Sequence, residues 1–261
     1  MTTIRIALLH LRVGLMNDLQ YRVNFALQVL QSLLAVATGL IVFSLVFSHT
    51  TELNGWTQSE LLALLGVQAI MAGVIHSVIQ PNMMRLTEDV RDGKLDHALT
   101  KPVDSQALVS VREVRLWQAV DIPIGAVLIG VALARIGGDI GVLDALAFAF
   151  ALALGAVVLY CFWLVLATGS FWVVHMWFLP ELFEGIFQTG RWPVGIYPDW
   201  LRFGITFLVP IAFAITVPAE AVTSRLDWQT LGFTALFTVG ALAVSRWFWR
   251  FGLTRYTGAS A

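Results

Sequence analysis

Glu181 and Glu184 stand three residues apart in an apolar stretch, the spacing that puts two carboxylates on one helical face. Such a pair either lines a polar vestibule or meets interfacial water. Asp121 lies at the start of another apolar stretch, just after Arg112 and Arg115. Snorkelling or pairing with one of those arginines is its expected role. His76 is expected to be a hydrogen-bonded packing residue. His175 has no second histidine or carboxylate at ligand spacing, since Glu181 is six residues on and off its face. Five scattered histidines make no metal constellation. Ser170 and Ser245 sit in no nucleophile motif. The two lysines, Lys94 and Lys101, follow no G-x-x-x-x-G-K-[ST] phosphate loop. The side chains therefore predict no catalytic residue, no metal site, no ATPase activity and no cofactor bound by this chain.

The densest charge lies in Pro81 to Gln106, PNMMRLTEDVRDGKLDHALTKPVDSQ. Pro81 suits the first turn of a helix, where its missing N–H is no loss. Met83, Leu86 and Val90 at i, i+3 and i+7 form an apolar face. Arg85, Glu88, Asp89 and Asp92 occupy the rest. Gly93 is a left-handed stop. A second short helix then runs from Leu95 to Thr100 and ends before Pro102, with Leu95 and Leu99 sharing a face. The spacing predicts two short amphipathic helices about a glycine hinge. Asp89, Arg91 and Asp92 are candidate polar contacts for a soluble partner.

Positioning these groups falls to long apolar runs. The chain is 58% hydrophobic and 13% charged, about half the charge of a soluble domain, with mean hydropathy +0.78. It reads as an all-α integral membrane protein. A net charge of −1 gives no reason to expect a nucleic-acid partner. The single Cys161, inside an apolar run, predicts packing rather than a disulfide. Seven runs stand out: 25–47, 61–79, 116–134, 145–167, 171–188, 203–222 and 231–249, each near the ~20 residues a crossing needs. Arg5 and Arg12 interrupt an amphipathic pattern that predicts an interfacial helix over 1–22 rather than a cleavable signal. Basic residues cluster before the first run, between the second and third, and after the last. The positive-inside rule then places both termini and 81–115 in the cytoplasm. Ends on one side demand an even number of crossings, so one run does not cross. The weak ones are the fifth, with Pro180, Glu181 and Glu184, and the sixth, with Pro210, Pro218 and Glu220. Charge favours a fifth run lying flat, because Arg191 and Arg202 then fall inside. Ala35, Ala37 and Gly39 would permit close helix approach, between subunits or within one. Most tryptophans, Trp56, Trp192, Trp200, Trp228 and Trp249 among them, mark run ends as interfacial anchors.

The core GKLDHALTKPV, 93–103, resembles the G-x-L-D-x-x-L-x-x-P signature of ABC-2 type permeases, in the branch of ~260-residue ABC transport system components. Gly93, Leu95, Asp96, Leu99 and Pro102 match it. RWPVGIYPDWLRFGITFLVPIAFAITVPAEAV, 191–222, is similar to the branch's late pattern through Pro193, Tyr197, Pro198, Pro210 and Pro218, with departures at Trp192 and Val209. Gly55–Trp56 is also typical. The resemblance covers the whole chain as one transmembrane domain, 1–261. It implies a six-span bundle, type V exporter-like, with a cytoplasmic coupling helix at 81–106 and a re-entrant outer segment at 190–228. That favours the sixth run, not the fifth, as the one that fails to cross. It implies coupling through Leu86, Glu88, Asp89, Arg91, Gly93, Leu95, Asp96, Leu99 and Pro102. Pro193, Tyr197, Pro198, Pro210, Pro218 and Glu220 become outer-gate residues, with Glu181 and Glu184 on the pathway.

The partners implied are a separate ABC ATPase subunit carrying ATP and Mg, a second permease as homodimer or heterodimer, and the bilayer of a prokaryotic cytoplasmic (inner) membrane. The expected function is the permease of an ATP-driven exporter. The alternatives are an ion-coupled secondary transporter, for which the halves show no inverted repeat, and a membrane scaffold outside the ABC class. A membrane-embedded enzyme would need clustered catalytic groups that the sequence lacks.

Overall fold

The computed structural model describes residues 22–137, 141–173 and 178–256, with side chains from residue 25 onward. Arg5 and Arg12 of the expected interfacial helix, and His175, lie outside these residues. Every regular element among the described residues is a helix, apart from an isolated bridge between Leu53 and Trp56. Five are long and apolar enough to cross a membrane: α1 (Arg22–Phe47), α2 (Gln58–Arg91), α5 (Leu116–Ile136), α6 (Val142–Phe171) and α10 (Trp228–Leu253). Between α2 and α5 lie two short helices, α3 (Asp96–Leu99) and α4 (Ser105–Val109). After α6 come α7 (Leu179–Phe187) and a pair, α8 (Asp199–Leu208) and α9 (Ala212–Val222), bent by 77°. Counting that pair as one span gives six.

The second run and the charged segment are not separate helices. α2 continues from Gln58 to Arg91 through a wide π turn at Ile75–Ile79. Pro81 sits inside this rod rather than at a fresh start. A proline there removes one helical hydrogen bond and leaves the carbonyl four residues earlier without a donor. That carbonyl, on Ser77, instead accepts from the Arg115 N–H at 2.8 Å. Asn82 completes the graft. Its Nδ2 donates to the carbonyls of Val78 and Glu113 (2.7 Å each), and its Oδ1 accepts from the N–H groups of Arg112 and Glu113 (2.7 and 2.9 Å). The chain returning from α4 is thus bonded to the wide turn, and the helix has no reason to break.

α2 and α5 pack so closely that backbone meets backbone. A Cβ at Gly66 would lie 2.8 Å from the Gly125 carbonyl oxygen, and one at Gly73 would lie 3.0 Å from the Ile122 nitrogen. Small residues bring membrane helices into contact where no water is available to drive association. α6 packs against both α10 and α9; Gly155 lets α9 approach at Ala214. Gly39 of α1 meets Leu65 of α2, a contact within the subunit. Most of α1 is left uncovered: Leu30, Leu34, Ile41 and Leu45 are all exposed.

Two ends can be distinguished. At one, the Arg225 guanidinium bonds both Glu60 carboxylate oxygens (2.9 Å) and the Gly55 carbonyl (2.7 Å), and lies 5.0 Å above the Trp56 ring. At the other, Arg246 of α10 pairs with Asp104 before α4, and the Trp249 indole N–H reaches Ser105 Oγ at 3.3 Å. The segment 179–196 connects the two levels. Phe183 packs on Trp163 at 5.0 Å, the Phe187 carbonyl accepts from Gln68, Trp192 meets Phe43 at 5.1 Å, and Gly195 approaches Asn54. α8 then leads to a break at Val209–Pro210 beside Val158 and Cys161, and α9 brings the chain to Arg225.

Candidate functional site

The charged end is a small folded platform built on the end of α2. Met83 and Leu86 point inward and are buried, as are Leu95 and Ala98. Gly93 takes φ +69°, a conformation that costs a side-chain-bearing residue about 1 kcal/mol, and so ends the rod. The freed Asp89 carbonyl accepts from the N–H groups of Lys94 (2.8 Å) and Leu95 (3.2 Å), which folds α3 back under α2. Asp89 itself is buried, and its carboxylate meets Arg112 at 2.5 Å. Glu113 joins Arg115 (2.8 Å) and Arg85 (3.8 Å).

Asp104 caps α4 by accepting from the Ala107 N–H at 3.0 Å. Hydrogen bonds from Arg246 hold its carboxyl below the usual carboxylate range. Tyr160 of α6 hydrogen-bonds Ser110 (2.7 Å) and Gln106 (3.3 Å). Asp92 is exposed, and its carboxyl is lowered by hydrogen bonds from Lys94 (2.9 Å) and Arg91 (3.1 Å).

The nine residues named for coupling thus divide. Leu86, Asp89 and Leu95 form the interior of the platform; Gly93, Asp96 and Leu99 are half-buried; Glu88, Arg91 and Pro102 are at the surface. Lys94, His97 and Lys101 extend that outward face, with Arg85 at its start.

At the opposite end the named gate residues are less uniform. Pro193, Pro210 and Pro218 are buried, Pro198 is exposed, and the Tyr197 hydroxyl donates to the Thr189 carbonyl at 2.8 Å. The Glu220 carbonyl accepts from the Arg225 N–H at 2.8 Å. Arg225, which anchors this region to Glu60, gave no signal in sequence because its partner lies 165 positions away.

Between the ends, polar stripes converge on a cavity of about 190 Å³. α1 supplies Gln28, Gln31 and Ser32; α2 supplies Gln68 and His76; the α7 segment supplies Glu184, Gln188 and Arg191. Asp121 at the start of α5 completes the lining. His76 Nε2 lies 3.3 Å from Glu184 Oε2, and the Gln188 amide donates to the other Glu184 oxygen at 2.5 Å. Gln68 donates to the Phe187 carbonyl at 3.1 Å. His76 is therefore hydrogen-bonded, but into a polar cavity rather than an apolar core. Glu184 lines this space and Glu181 does not: it is exposed one turn earlier, at the start of α7. The pairing expected for Asp121 is not found, because Arg112 bonds Asp89 and Arg115 bonds Glu113. The return of 112–115 onto α2 draws both arginines away from α5. No group of three His, Cys, Asp or Glu residues among the described residues is arranged to hold a metal ion.

No curated protein matches the sequence. The family model described as "ABC-2 family transporter protein" matches residues 33–260, from within α1 to past α10. The helices of that stretch, the apolar spans and the motif-bearing platform at the end of α2 thus fall within one match, and the chain belongs to this family: it is a multi-pass membrane permease of an ABC transporter.

Proposed function

We propose that the chain is the export permease of an ATP-driven transporter, coupled through the outer face of the α2–α4 platform to a separate ATPase subunit. The observation that carries this reading is the division within the platform. An apolar interior and the Asp89–Arg112 pair stiffen it, while Glu88, Arg91, Lys94, His97 and Lys101 face outward in a mixed-charge row. A stiff body transmits displacement into the helix it belongs to, and a mixed-charge surface sets register with a partner. ATP and Mg belong to that partner.

The basic residues of this end support a cytoplasmic side for it and for both termini, and the membrane is the cytoplasmic membrane of a prokaryotic cell in this reading. The 190–228 segment is then re-entrant from the outside, because Gly195 and Arg225, on either side of the bent pair, both meet the 54–60 region. The uncovered apolar face of α1 is available to a second copy or a similar chain.

Co-purification of the tagged permease with its ATPase subunit tests the coupling. Glu88→Arg combined with Arg91→Glu should reduce capture at least tenfold and leave membrane insertion and thermal stability unchanged, since both residues are exposed. Unchanged capture would overturn the docking role of this face.

A further inference from the structure

The cavity between α1, α2 and α7 carries more negative than positive charge. Asp121 comes from α5 and Glu184 from the α7 segment; Arg191 is the single cation of fixed charge among the lining residues, and no lysine joins them. His76 from α2 is already engaged with Glu184. The polar groups that α1 contributes are all neutral: the amides of Gln28 and Gln31 and the hydroxyl of Ser32. At the depth of membrane-spanning helices an excess carboxylate is costly unless something cationic accompanies it.

The hydrogen-bond inventory adds a second, independent feature. Arg191 Nε and Gln188 Oε1 are both buried without a protein partner. They are an unused donor and an unused acceptor on adjacent turns of one segment. A hydroxyl or an amide satisfies both at once, because each can accept and donate. Buried polar atoms left without partners are uncommon in folded proteins and call for an explanation. The remaining walls, Ala35, Val36, Leu65, Ala69, Ala72 and Phe187, are apolar and include one aromatic ring. The volume corresponds to roughly six waters, enough for a molecule of about ten non-hydrogen atoms.

We propose that this cavity binds a small organic cation: a protonated amine held at the Asp121–Glu184 side, a flat apolar body along α2, and a hydroxyl or amide at Gln188 and Arg191. The assignment rests on the reading of the chain as a transport permease and names the class of molecule its pathway accepts. An anion would face the same two carboxylates and is disfavoured by the arrangement that admits the amine.

Tyramine, ten non-hydrogen atoms with an ammonium at one end and a phenol at the other, is a suitable probe. Radiolabelled tyramine should bind saturably to the complete permease–ATPase complex in nanodiscs. Competition by 4-hydroxyphenylacetate, which carries a carboxylate in place of the aminomethyl group, should be at least tenfold weaker than by unlabelled tyramine. Asp121→Asn should weaken tyramine binding about tenfold. Ala69→Phe, which fills the space and leaves every charge in place, should abolish it. Absence of saturable binding, equal or better competition by the carboxylate, or undiminished binding to Ala69→Phe would each overturn the proposal. ATPase capture by the same preparation separates the two readings. A complex that captures the ATPase yet binds no tyramine refutes the cavity assignment alone. A permease that binds tyramine yet captures no ATPase refutes the coupling alone.

Discussion

Asp104 joins two elements through one side chain: it caps α4 and pairs with Arg246 of α10. Its carboxyl is lowered mainly by hydrogen bonds from Arg246. A group whose folded pKa lies below its unfolded value stabilises the fold fully above the unfolded value of 3.8 and ceases to do so as pH falls through the folded one. Thermal unfolding of the detergent-solubilised protein should therefore lose a stabilising contribution below about pH 4, and Asp104→Asn should flatten that acid limb. An unaltered limb in the variant would show that the pair does not clamp α10. The pair was not readable from the sequence, since 142 positions separate its members. Glu184 was partly readable. Its spacing to Glu181 drew attention to the turn before it, whereas Gln188 and Arg191, at i+4 and i+7, continue the stripe that lines the cavity. Glutamines at helical spacing are a quiet signal beside carboxylates, and Gln28, Gln31 and Gln68 passed unnoticed for that reason.

At the level of elements, hydrophobic periodicity and length located the long helices well, because an apolar run of ~20 residues has few other uses. The first run, 25–47, matches the crossing helix found over those residues. What periodicity missed is continuity. The proline at 81 looked like a beginning, and only Arg115 and Asn82, thirty or so positions on in their bonding, explain why α2 runs through it. The α2–α5 seam was equally hidden. The sequence pointed to the small residues of α1, while the closest backbone approach joins Gly66 and Gly73 to Gly125 and Ile122. Gly125→Leu would drive a side chain into the Gly66 carbonyl and Ile70, overpacking that costs about 1–3 kcal/mol. A lowered melting temperature and poorer recovery of the monodisperse protein are the expected result. Gly130, with open space where its Cβ would be, is the control whose substitution by leucine should be tolerated.

For the whole molecule, the proposed topology puts the start of the bent pair α8–α9 on the outer side of the membrane. Trp200 at its start is strongly exposed, at 75%. In a background with Cys161 replaced, a cysteine at position 200 should react with a membrane-impermeant maleimide in intact cells. Reaction only after lysis would place this end in the cytoplasm and remove the outer-gate reading.

The wide turn in α2 has a mechanical corollary. The helix is a rod of 34 residues, roughly 50 Å long, and the turn at Ile75–Ile79 divides it unequally. A π turn holds one more residue than its neighbours, so the side chains of the shorter arm are offset about the axis from those of the longer arm, which is keyed to α5 through Gly66 and Gly125. His76 is part of the wide turn itself, touching Glu184 across the cavity. A displacement of the outer arm would pass through this turn and its imidazole–carboxylate contact before it reached the arm packed on α5.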